Sequence, residues 1–122
     1  MFSRKVMIVD DDEKFLKDLE EMLAFSGYDI IAAHDPFSVL PIASKEKPNA
    51  ILLDLKMPGK SGFQVAHELR GSPELQHIPI IAMTRFFKDG YKILMEMCDI
   101  KKCIKKPFHP LDLIMELEAV LD

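Results

Sequence analysis

Only two of the 122 residues are cysteine, Cys98 and Cys103. That is too few for a disulfide scaffold or a four-ligand zinc site, so both are expected as buried or half-buried thiols. No stretch approaches the roughly 18 to 20 uninterrupted apolar residues that a membrane span needs. The opening "MFSRKVMIVDDDEK" turns acidic too soon for a signal peptide, and a cytoplasmic protein is expected. Basic excess is also missing. The formal net charge is −4, which argues against a general nucleic-acid surface, with Lys101, Lys102, Lys105 and Lys106 as a local exception. The four histidines, His34, His67, His77 and His109, share no ligand spacing. Repeats, low-complexity tracts and linkers are absent as well. With 48% apolar residues the chain can bury one core, and a single domain over 1–122 is expected.

Against these absences stand five short apolar runs: "KVMIVD" at 5–10, "YDIIAA" at 28–33, "AILLD" at 50–54, "PIIAMT" at 79–84 and "KCIKK" at 102–106. The first four are nearly continuous, as in parallel strands covered on both faces. Helical spacing fills the intervals. The first helix is expected from Asp12, as N-cap, to Ser26, with Phe15, Leu16, Leu19, Met22 and Leu23 on one stripe and Gly27 as a left-handed stop. The second opens at Asp35-Pro36, and Pro41 is expected to kink or shorten it. The third runs from Ser61 to Arg70. The fourth runs from Phe86 to Cys98, with Gly90 costing it about 1 kcal/mol. The last, from Pro110 to Leu121, carries Leu111, Ile114, Leu117 and Leu121 on one side. Alternating strands and helices predict right-handed crossovers and a doubly wound α/β sheet.

In such a sheet ligands bind beyond the carboxyl ends of the strands. Those ends here are Asp10, Asp11 and Asp12, then Asp54, Thr84 and Lys106. If strands one and three are neighbours, as in the flavodoxin-like (βα)5 order 2-1-3-4-5, two or three carboxylates converge. Each like-charged pair at ~4 Å costs about 4 kcal/mol at an effective dielectric of about 20. One lysine cannot neutralise the cluster, which leaves a raised carboxyl pKa or a bound divalent cation. Oxygen donors without nearby His or Cys favour Mg2+, or manganese in its place, and open coordination positions suit phosphoryl chemistry. Asp12 reads as a helix cap rather than a ligand.

The motifs "VDDD" at 9–12, "DLKMPGKSG" at 54–62, "MT" at 83–84 and "KKPF" at 105–108 resemble the receiver domain of two-component response regulators. The match covers the whole chain, with four motifs in order at the right strand ends. The resemblance implies an acidic pair at Asp10 and Asp11, a phosphoryl acceptor at Asp54, a hydroxyl at Thr84 and a lysine at Lys106. It implies Mg2+ held by Asp11, Asp54 and the backbone carbonyl of Lys56, with Asp10 acting through metal-bound water. A cis Lys106-Pro107 bond is implied in the same way. So are a sensor histidine kinase or phosphotransfer protein as donor and a downstream effector protein or fused output domain as target. Nucleic-acid and membrane contacts are not expected, and homodimerisation is left open. The chain would catalyse only its own phosphoryl transfer and dephosphorylation.

It departs from the family pattern at several positions. Cys103 stands where a switch aromatic is usual, with Phe86 and Phe87 as candidate substitutes. Arg85 follows the threonine where a small residue is usual, and Asp99-Ile100 replaces a frequent Gly-Ala. Lys56 and Phe86 occupy positions that in this family influence the lifetime of the phosphoryl group. Two other readings compete. One is a pseudo-receiver that binds partners constitutively. The other is an aspartyl-phosphate phosphohydrolase, which typically needs a second aspartate where this chain has Lys56.

Overall fold

The computed structural model describes residues 4–121, so the expected domain bounds of 1–122 run past the described residues at both ends. Five parallel strands, β1 (Lys5–Val9), β2 (Asp29–Ala33), β3 (Ala50–Asp54), β4 (Ile80–Thr84) and β5 (Lys102–Lys105), form one sheet in the order β2-β1-β3-β4-β5. Helices α1 (Glu13–Phe25), α2 (Val39–Glu46), α3 (Gly62–Arg70), α4 (Tyr91–Met97) and α5 (Pro110–Val120) alternate with them. This is the expected flavodoxin-like arrangement. No helix among the described residues is long and apolar enough to cross a membrane.

Successive strand side chains point to opposite faces, so each central strand feeds two cores. Met7, Val9, Ile51 and Leu53 meet α2, α3 and α4 through Val39, Ala43, Val65, Leu69 and Met95. Val6, Ile8, Leu52, Ile81 and Met83 meet α1 and α5 through Leu16, Leu19, Leu23, Leu113 and Leu117. Every residue of β3 and β4 is buried. The edge strand β2 is half-exposed despite its continuous apolar run, because it has only one strand neighbour.

The caps explain where the helices begin. The Asp12 side chain accepts the Phe15 N–H at 3.1 Å and opens α1, and Gly27 follows its end at φ 95°, as expected. Ser61 and Gln64 form a reciprocal capping box at α3.

Three expectations need correction. Helix α2 starts at Val39, not at Asp35-Pro36. The Asp35 carboxylate accepts the N–H groups of Phe37 and Ser38 at 2.8 and 2.9 Å, and so builds a turn before the helix. Pro41 then falls in the first turn, where its N–H would have no helical partner, and it is accommodated there. Helix α4 starts only at Tyr91. Phe86 and Phe87 are 72% and 50% exposed and give the preceding segment no stripe to bury, and Gly90 stands at the N-cap rather than inside. In α5 the buried positions are Leu113 and Leu117, followed by Leu121, whereas Leu111 is 62% exposed. Ile114, Leu117 and Leu121 face the core as expected, and Leu113 takes the inward position that Leu111 was expected to hold.

Two long-range clasps close the periphery. Arg70, at the end of α3, donates to the carbonyls of Cys98, Gln76, Ile78 and Asp99 at 2.7 to 3.0 Å, tying the end of α4 to the α3–β4 loop. Asp99, which stands where the family often has glycine, adopts the left-handed φ of 52° there. On the opposite face Arg4 and Tyr28 both donate to Glu118 of α5.

Candidate functional site

The sheet register brings the strand ends together. Val9 pairs with Leu53, Asp54 with Met83 and Thr84 with Lys105, so Asp10, Asp54, Thr84 and Lys106 emerge along one edge of the sheet. Adjacent strands lie about 4.8 Å apart, which sets the spacing of the groups that follow them. The loop after β3 is held back against the sheet by Leu55 N–H on the Met83 carbonyl and Gly62 N–H on the Leu55 carbonyl, both at 3.0 Å. Gly62 is required at that crossing, because a side chain there would stand 2.8 Å from Leu55 Cα and closer still to the Asp54 carbonyl.

All the sequence-predicted site residues line one cleft of about 280 Å³: Asp10, Asp11, Asp54, Lys56, Thr84 and Lys106. Carboxylate oxygens of Asp10, Asp11 and Asp54 lie within 4.8 Å of one another. Asp10 is 1% exposed and accepts from Asp12 N–H at 3.0 Å and from the Lys106 ammonium in a close ion pair. The same ammonium is 3.7 Å from Asp54 Oδ1. Lys106 N–H donates to the Thr84 carbonyl at 2.8 Å, which fixes its backbone, and the Lys106-Pro107 bond is cis, as the resemblance implied. Thr84 is buried, its hydroxyl 3.3 Å from both the N–H and the carbonyl of Phe86.

Burial pushes the Asp54 carboxyl up to about 7, with the Asp10 carboxylate as the next cause and Asp11 adding to it. The Lys106 ammonium and the backbone N–H of Lys56 pull it down, without prevailing. The pocket thus carries more negative charge than its lysine offsets. The three carboxylates of Asp10, Asp11 and Asp54 in that condition offer oxygen donors that fit a hard divalent cation.

The cleft also contains residues that sequence reasoning gave other places. Tyr91, read as a helix-stripe residue, lines it and packs edge-on against Phe63 and Phe87 with ring centroids 5.1 and 5.8 Å apart. Phe87 reaches the site only through this contact. Arg85 and Lys88 add two cations at the rim. Phe15, read as core, has the Lys106 ammonium 4.1 Å from its ring centroid. Cys103 is half-buried and packs on the α2–α3–α4 side of the sheet. Burial raises the Cys98 and Cys103 thiols, so neither is primed as a nucleophile.

The sequence model of the response regulator receiver domain matches residues 6–118. The chain belongs to that family. It is 34% identical over 104 residues to the polar-differentiation response regulator DivK of Brucella anthropi, covering 85% of each chain. It is also 34% identical to the probable transcriptional regulator ycf27 of Porphyridium aerugineum, over 99% of this chain and 49% of that protein. Among solved structures, chemotaxis protein CheY4 of Vibrio cholerae superposes with a TM-score of 0.94 at 27% identity, covering 98% of this chain and 100% of the other. The receiver domain of a sensor histidine kinase from Pseudomonas aeruginosa, with a magnesium ion coordinated in its active-site cleft, shares the fold at 24% identity and a TM-score of 0.87, covering 97% of each chain. The chain is therefore a receiver domain of two-component signalling.

Proposed function

We propose that this receiver domain accepts a phosphoryl group on Asp54, from the phosphohistidine of a sensor histidine kinase or phosphotransfer protein, and thereby switches contact with an effector protein or fused output domain. The observation that carries this reading is the buried Asp54 carboxylate, raised to about 7, facing Asp10, Asp11 and Lys106 in one cleft. An Asp54 oxygen forms the new P–O bond as the P–N bond to the donor imidazole breaks, and the leaving nitrogen keeps the electron pair. Mg2+, held by Asp11, Asp54 and the Lys56 carbonyl with Asp10 acting through water, would neutralise charge on the phosphoryl oxygens. Lys106, fixed through its backbone bond to Thr84, supplies a stationary positive charge next to Asp54.

Thr84 provides the response. Its hydroxyl now engages the Phe86 backbone. Turning that hydroxyl toward a phosphoryl group releases Phe86 and frees the loop that leads to Tyr91 and α4, which biases two arrangements of the surface around α4.

Incubation with acetyl phosphate and Mg2+ should add one phosphoryl group per chain, and the Asp54→Asn variant should take up none. Equal uptake by that variant would overturn the assignment. The pseudo-receiver reading draws on Cys103 standing in the switch-aromatic position, and it predicts no uptake by the wild type.

A further inference from the structure

We infer that Phe15 is a positioning residue for the Lys106 ammonium, a role resting on the phosphoacceptor reading above. Lys106 is 8% exposed, so water reaches its three N–H donors only from the cleft that it lines. Asp10 takes one, Asp54 Oδ1 lies at 3.7 Å, and the remaining side of the ammonium faces the Phe15 ring at 4.1 Å from its centroid. A ring face at that distance attracts a cation through its quadrupole. The ring is itself held twice. Its backbone N–H bonds to the Asp12 carboxylate in the first turn of α1, at 3.1 Å. Its ring meets Phe108 edge-on at 6.0 Å and 85° and packs on the core between α1 and α5. Phe15 is thus fixed from the acidic loop that opens the site and from the segment that follows Lys106.

The two carboxylates are partners that phosphoryl transfer changes, because Asp54 becomes an acyl phosphate and both share their charge with any bound cation. The ring is the partner that stays the same. Phe15 therefore defines where an incoming phosphoryl oxygen finds the ammonium. An aliphatic side chain of similar volume would fill the space without attracting the charge.

Site-specific incorporation of mono-, di- and trifluorinated phenylalanine at position 15 weakens the ring quadrupole stepwise at nearly constant volume. With acetyl phosphate and saturating Mg2+, the phosphorylation rate of the full chain should fall step by step, reaching about two- to fivefold for the trifluoro ring and for Phe15→Leu, while Phe15→Trp keeps the wild-type rate. Urea midpoints should stay constant across the fluorinated series, as a packing role alone would not predict a graded rate. A second readout does not depend on phosphorylation: the Lys106 side-chain proton resonances should be shifted upfield by the ring in the wild type and return to ordinary lysine positions in Phe15→Leu. Rates independent of fluorination, or Lys106 resonances identical in the two proteins, would overturn the inference. A wild type that takes up no phosphoryl group yet shows the ring shift would defeat the phosphoacceptor reading and leave the ring contact established.

Discussion

Replacing Asp54 with asparagine should stabilise the cation-free protein at alkaline pH and do much less in acid. Asp54 is 6% exposed, and its carboxyl is pushed from 3.8 up to about 7 by burial and then by Asp10. The folded chain holds this proton to higher pH than the unfolded chain does. Stability is therefore greatest at low pH with respect to this group and is lost as pH rises from about 4 to about 7. The gap between the two values corresponds to about 4 kcal/mol once both states are ionised, and relaxation of water and side chains around the charge reduces this toward ~2 kcal/mol. Asparagine keeps the shape and removes the charge. In urea titrations with a chelator present, Asp54→Asn should exceed wild type by about 2 to 4 kcal/mol near pH ~8, and by less than half of that near pH ~5. Mg2+ at about ten times its dissociation constant should then restore about 1.4 kcal/mol to the wild type and less to the variant. A gain that is equal at both pH values, or a loss at the higher one, would refute the idea that an uncompensated negative charge dominates this pocket.

Arg70→Ala should cost about 2 to 4 kcal/mol in urea unfolding, because it leaves the carbonyls of Cys98, Gln76, Ile78 and Asp99 without their donor, and hydrogen exchange should quicken at the end of α4 first. Gly62→Ala should lower both stability and phosphoryl uptake, since the new Cβ presses on Leu55 Cα and the Asp54 carbonyl; an unchanged uptake rate would mean that the crossing is looser than described. Ultraviolet titration should show one tyrosine ionising only near 12, owing to the burial of Tyr28 and its bond to Glu118, and Tyr28→Phe should delete that late component. Loss of a component near 10 instead would contradict the clasp.

What could be read from the sequence was what depends on local pattern. Runs such as "AILLD" and "PIIAMT" become β3 and β4 because both of their faces are covered, and Asp12 acts as a cap because its carboxylate satisfies a helix N–H group one turn ahead. The convergence of Asp10, Asp11, Asp54, Thr84 and Lys106 followed from placing residues at the ends of parallel strands. The errors came where tertiary context decides. Phe87, Tyr91, Leu94 and Met95 have helical spacing, yet no neighbouring element buries the first of them, so α4 begins late. Phe15 sits on the α1 stripe like any core residue, and only the segment after β5, which brings Lys106 and Phe108 to α1, sets its ring against a lysine ninety-one positions away. Tyr91 enters the cleft for a similar reason, through packing on Phe63 from another helix.

The most direct test of the central claim is to trap the acyl phosphate where it forms. Borohydride reduction of the phosphorylated protein converts an aspartyl phosphate to homoserine, which peptide mass mapping locates. Homoserine at position 54 and nowhere else is the result expected here. Homoserine at Asp10, Asp11 or another aspartate, or none after confirmed phosphoryl uptake, would contradict it.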